Sequence, residues 1–274
     1  MTDTTEPTLA EQLAREAELF NRAYAAYRAG HDSKVFTLKL AAYRNDELPH
    51  ERPSSSRTMV FDQMVREHLI HVPNDLNAIV YHYHQLVNWI PALPKGEDPL
   101  DRLLVVREFA ECLAHYLLNF PYAITQRFIY SVSHLCHQAN RFVQADWTEA
   151  LLPADHRIDG KVMDRLGKGW QTFDRFKAAL ALLDDEDFSK ATNEFRRKYH
   201  HRMPARFELG ITQIVTRVHK DGHVHYQMGG TPPIRLDTLL DPLARQYNQA
   251  LVVYDPYFTL VKELWSAVDR HRTA

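Results

Sequence analysis

Residues 98–142 read DPLDRLLVVREFAECLAHYLLNFPYAITQRFIYSVSHLCHQANRF, and this stretch decides the fold class. Asp98 before Pro99 is a helix start, an oxygen cap followed by a residue whose missing N–H costs nothing in a first turn. Leu103, Ala110, Leu113 and Leu117 then recur at the three-and-four spacing of an apolar helix face. Pro121 breaks or kinks the run, which resumes to about Phe142. The same period continues on both sides. Thr8-Leu-Ala-Glu11 has the form of a capping box, and its helix should run to about Arg28 and stop at Gly30. Pro49, Pro53 and Ser54-Ser55-Ser56 mark a loop. A helix over Thr58 to His71 carries Met64 and Val65, and Asn74 or Asp75 caps the next, which ends near Pro91 and Pro94.

Beyond residue 142, Val143 to Arg157 reads as a connection. A helix is expected from about Asp159 to Leu183. The acidic run Asp184 to Asp187 then suits the first turn of another, from Phe188 to Arg202, ended by Pro204. Leu236 to Ala267 is helical again, interrupted at Asp255-Pro256. The one β signal is Ile211 to Val218, then Asp221-Gly222, then Val224 to Met228, a hairpin with a two-residue turn. The sequence therefore predicts a mainly α protein, a helical bundle with one small β-hairpin near residues 211–228. Its organisation reads as an N-terminal helical region over 1–142, either separate or packed as one unit with the rest, and a helical domain over 158–274 that carries the hairpin as an insertion.

The totals agree with that class. The 274 residues are 45% hydrophobic and 25% charged, with 13 Tyr, 13 Phe and 4 Trp, enough for a sizeable core and unlike a disordered chain. Only 9 Gly argues against a barrel, a sandwich or a nucleotide fold built on glycine turns. A net charge of −2 gives the whole molecule no field for nucleic acid, so any such attraction must be local. Cys112 and Cys136 sit in apolar helical pattern and read as buried free thiols of a reducing compartment. No apolar leader follows Met1, and Ala178 to Leu183, the longest aliphatic run, is far short of the ~20 residues a membrane span needs. The expected location is the cytoplasm, with no membrane partner.

The concentrated chemistry lies in Arg196 to Arg202. On a helical wheel with about 100° per residue, Phe188, Ala191, Phe195 and Tyr199 form a narrow apolar stripe. Arg196, Arg197, His200 and His201 share the opposite face, Arg202 and Arg206 extend the charge, and Glu194 alone offsets it. A phosphodiester suits both residue types. Arginine offers a permanent bidentate fork to phosphate oxygens, and histidine can give or take a proton near neutral pH. Metal-free RNA cleavage needs a base for the 2′-hydroxyl, an acid for the leaving oxygen and a cation for the developing charge. The bland alternative is a solvated basic helix face, with His201 satisfied by solvent or by Glu208.

Arg196-Arg-Lys-Tyr-His-His201, followed by Arg202-Met-Pro204, resembles the R-x4–6-H signature of the HEPN superfamily, best over the second half of the chain. That resemblance implies a helical bundle that dimerises, with two motif copies facing each other across the interface. It also implies a metal-independent endoribonuclease of bacterial stress response or phage defence, with no cofactor, acting on RNA and restrained by an antitoxin or other regulatory protein. Arg196 matches the motif arginine and His201 its histidine, with Arg197, His200 and Arg202 in support. Such nucleases place Asn, Asp or His after the arginine, where this chain has Arg197. The pairs Arg197 with His201 and Arg196 with His200 are therefore equally open registers.

Two rival classes remain. One is a carboxylate–histidine metal site in the bundle, drawing on Glu108, Glu111 and His115 at i, i+3, i+7, and on His134 with His137. Glu111 precedes His115 by four residues rather than three, which is off the di-iron pattern. The other is a non-catalytic helical RNA- or protein-binding module. Gly160 to Gly169 superficially suggests a phosphate loop but lacks its spacing and its Ser or Thr. His219, His223 and His225 read as surface residues of the hairpin.

Overall fold

The computed structural model describes residues 8–31, 36–49, 55–96 and 98–271. Pro53 and Ser54 of the expected loop lie outside them. Mainly α is correct. The helices are α1 (Leu9–His31), α2 (Ser56–Ala92), α3 (Pro99–Val105), α4 (Glu111–Val143), α5 (Gly160–Gly167), α6 (Phe173–Leu180), α7 (Glu186–Ala191), α8 (Phe195–His201) and α9 (Leu240–Arg270). Among the described residues a single antiparallel pair, β1 (Val215–Lys220) and β2 (His223–Met228), forms the expected hairpin. Asp221 at φ 51° and Gly222 at φ 75° make its two-residue turn, the double positive φ that matches the twist of a hairpin.

The chain forms two compact units, each assembled from three stretches. Unit 1 takes Met1–Thr37, Tyr81–Leu118 and Asp187–Leu243, and unit 2 takes Leu38–Val80, Asn119–Glu186 and Ala244–Ala274. Both draw on sequence from either side of the 143–157 connection.

Unit 1 is built around aromatic stacking. Tyr27 of α1 stacks on Trp89 of α2 with centroids 4.3 Å apart, and Trp89 stacks on Phe109 at 4.5 Å. The capping box of α1 forms as expected, Thr8 N–H donating to Glu11 at 2.8 Å. Asp98 caps α3 by accepting from Leu100 N–H at 2.9 Å, and it also pairs with Arg15 of α1. Between α3 and α4, Val106–Ala110 forms a π-turn, with Glu111 N–H donating to Val106 O.

Unit 2 packs Phe128 of α4 against Phe176 of α6 and Tyr257 of α9, with centroid distances of 6.1 and 5.3 Å. The Tyr257 hydroxyl meets Ser131 Oγ at 2.7 Å, so the one polar atom in this cluster is satisfied. Gly167 ends α5 beneath the Phe173 ring, where an added Cβ would stand 2.1 Å from a ring carbon. That packing, and no phosphate loop, accounts for this glycine.

Four sequence expectations are corrected. First, the break at Asn74 and Asp75 does not occur, and α2 runs straight through Pro73. Leu69, Val72, Leu76 and Val80 are buried on both sides of the proline, and that burial offsets the lost hydrogen bond. Asn74 accepts from Tyr43, and Asp75 pairs with Arg127 instead of capping. Second, α9 continues through Pro256 for the same reason, and of the break or kink expected at Pro121 the break does not occur, α4 running through it. Third, the helix expected over 159–183 is two eight-residue helices, because Gly167 to Trp170 turn the chain. Fourth, Cys112 is exposed; Cys136 is buried as expected, and burial pushes its thiol pKa up, which keeps it inert.

Candidate functional site

The expected helix from Phe188 to Arg202 is broken in two. Thr192 is buried and its hydroxyl donates to Phe188 O at 2.8 Å. Asn193 and Glu194 then adopt left-handed conformations, φ 55° and 54°, each costing about 1 kcal/mol for a residue with a Cβ. The apolar stripe across 188–199 is therefore not continuous. Phe188 and Phe195 are buried, whereas Ala191 and Tyr199 are exposed.

After the break comes α8, seven residues long, and its residues include Arg196 through His201. Phe195 is its root. Its ring meets Phe207 at 5.5 Å and His115 of α4 at 5.2 Å, and Tyr199 lies 5.0 Å from the same imidazole. His115 Nε2 stands 3.5 Å from Glu111, and the ring also meets Phe207 at 5.3 Å. His115, set against a metal in sequence, is thus the seat on which α8 rests.

Outward of that seat, Arg197, His200, His201 and Arg202 are exposed and Arg196 is half-buried. The His200 and His201 ring centroids are 6.4 Å apart. Glu194 is engaged by Arg197 and lies 3.8 Å from Lys198, and the Arg197 guanidinium holds the Glu194 carboxyl below its usual range. Of the two open registers, the one using Arg197 therefore has its cation already committed to a carboxylate.

Glu208 does not satisfy His201. Its side chain is 2% exposed, accepts from Arg102 Nε at 2.8 Å and from Leu236 N–H at 2.7 Å, and so pins the segment beyond α8 to α3. The consequence for charge is direct. From Phe195 to Gly230 the sequence has seven Arg and Lys against Glu208 and Asp221, and Glu208 is buried. Asp221 is the one exposed carboxylate in that stretch, all of which is described.

Beyond Glu208 the chain leads into the hairpin. Phe207 pairs with Ile234 in a parallel bridge, and both are buried. Thr212 and Thr231 exchange two backbone hydrogen bonds of 3.1 and 2.7 Å, closing the neck. His219, His223 and His225 are exposed, as surface residues should be. Sequence reading missed the role of Phe207 and Ile234, because one apolar residue in each of two loops carries no period.

The metal alternative is dispersed. Glu108 is exposed, and Glu108, Glu111 and His115 belong to unit 1, while His134 and His137 belong to unit 2. His134 Nε2 lies 3.3 Å from Asp155, and His137 Nε2 lies 3.4 Å from Glu149. Trp147 donates its indole N–H to His137 Nδ1 at 3.1 Å, which fixes the His137 proton on Nε2, facing the carboxylate. Among the described residues no three His, Cys, Asp or Glu side chains are grouped to hold a metal ion.

Among the described residues no helix is long and apolar enough to cross a membrane. No protein-family model, curated protein or solved structure matches the chain.

Proposed function

We propose that the protein binds RNA through the basic end of unit 1 and cleaves it without a metal, as the HEPN resemblance implies. The observation that carries this reading is the placement of Arg196, His200, His201 and Arg202 on or at the end of one short helix, in a stretch from Phe195 to Gly230 whose one exposed carboxylate is Asp221. His201 acts as general acid or base. Arg196 holds the phosphate and stabilises the charge that develops on it, and His200 and Arg202 assist. The complete site is formed by two copies of α8 in a homodimer.

Purified wild type, Arg196→Ala and His201→Ala are incubated with total RNA in EDTA. Cleavage by wild type that falls about 10² or more in each variant supports the proposal. Cleavage abolished by EDTA transfers the activity to a metal. RNA retained in a salt-sensitive manner, with no cleavage under any condition, makes the protein a binding module instead. That second reading is favoured by one feature: α8 is seven residues long, whereas the motif is expected at the end of a helix that starts at Phe188.

A further inference from the structure

The two-stranded ribbon is exposed along its whole length apart from the half-buried Val218. Residues paired across an antiparallel ladder share a face. One face therefore carries Val215 with Met228, Arg217 with Tyr226, and His219 with Val224, and the other carries Thr216 with Gln227, Val218 with His225, and Lys220 with His223. The faces differ in character. On the first, Tyr226 is 71% and Met228 73% exposed, and Arg217 is the direct cross-strand partner of Tyr226. An isolated hairpin is marginally stable in water, and large apolar side chains on it invite a cover.

We infer that this face is a platform for single-stranded RNA, with Tyr226 and Arg217 stacking on unpaired bases. The inference rests on the RNA reading above and names its substrate class. Charge decides the occupant. This face carries Arg217 and no carboxylate, so a polyanion complements it, whereas a second copy would bring no opposite charge to meet Arg217. Base faces suit an aromatic ring beside a guanidinium, and a paired strand hides those faces. The neck at Thr212–Thr231 and the Phe207 bridge root the ribbon in the same aromatic cluster as α8.

The test uses the full chain and a labelled 2′-O-methyl oligonucleotide of about twelve nucleotides, which lacks the hydroxyl that cleavage needs. Fluorescence polarisation is read across a salt series, with far-UV circular dichroism to confirm folding. Tyr226→Ala should weaken binding about tenfold with the salt slope unchanged, and Tyr226→Phe should bind as wild type. Arg217→Ala should weaken binding and lower the slope by about 0.7, and Thr216→Ala on the opposite face should change nothing. Wild-type affinity in Tyr226→Ala, together with weakened binding in Arg196→Ala, overturns the platform and leaves the RNA reading standing. A wild type that binds no RNA removes both. A dimer by light scattering that Tyr226→Ala dissociates, with RNA affinity unchanged, gives the face to a second copy and overturns the platform.

Discussion

Glu208 and Gly167 show how single positions here are set by what surrounds them. Glu208 is a carboxylate taken almost wholly out of water, tolerable because Arg102 and the Leu236 amide supply the charge and the hydrogen bond. Glu208→Ala leaves Arg102 without this carboxylate and frees the turn beyond α8. A loss on the order of 3 kcal/mol is expected, read as a lower urea midpoint. Gly167 sits where a methyl group would enter the Phe173 ring, so Gly167→Ala should lower stability by about 1–3 kcal/mol with the denaturant m-value unchanged. His201 belongs to the same scale but is exposed at the end of α8, so His201→Ala should lie within about 0.5 kcal/mol of wild type in stability. A large drop in its melting temperature would mean that this side chain is structural.

At the scale of the element, α4 carries a row of imidazoles and rings facing α2 and the 143–157 connection. His68 of α2 packs on Tyr130, Tyr130 on His134, and His134 and His137 meet Asp155 and Glu149. Burial pushes the His68 pKa down to about 4 from its ordinary 6.5, with the neighbouring His134, Arg127 and His71 adding to it. Burial also lowers His134 and His137, against the opposing pull of their carboxylates. An imidazole depressed by folding binds its proton more readily in the unfolded chain. Acid therefore favours unfolding, beginning below about pH 6.5 and complete for His68 near pH 4. His68 alone contributes about 3 kcal/mol over that window. The check is the urea midpoint against pH, where His68→Gln should flatten the curve. This row was legible in the sequence only as scattered histidines, because their partners arrive from another helix and from a loop. The helices themselves were legible wherever a cap and a period coincided, as at Thr8, Asp98 and Asp159, and so was the hairpin from Asp221-Gly222. Pro256 reads as an interruption from sequence, yet burial of Val253, Tyr254, Tyr257 and Phe258 on both sides of it outweighs one missing bond. The split at Asn193-Glu194 left no mark, since neither residue is a glycine and the apolar spacing continues across it.

At the scale of the whole molecule, the proposed composite site requires two chains. Light scattering should give twice the 32.0 kDa of one chain, and a monomer at working concentration would remove the shared-site form of the proposal. The interleaving of the two units has a further outcome for anyone cutting the gene. Residues 158–274 hold the motif, the hairpin and α9, yet they lack Met1–Thr37 and Tyr81–Leu118, which supply the aromatic stack of unit 1 and the His115 seat under α8. Expressed alone, that C-terminal fragment should be insoluble or molten, even though it contains every residue proposed for chemistry. Mixing it with a separately expressed N-terminal fragment, and watching for recovered near-ultraviolet circular dichroism, would show that the motif depends on sequence far upstream for its shape.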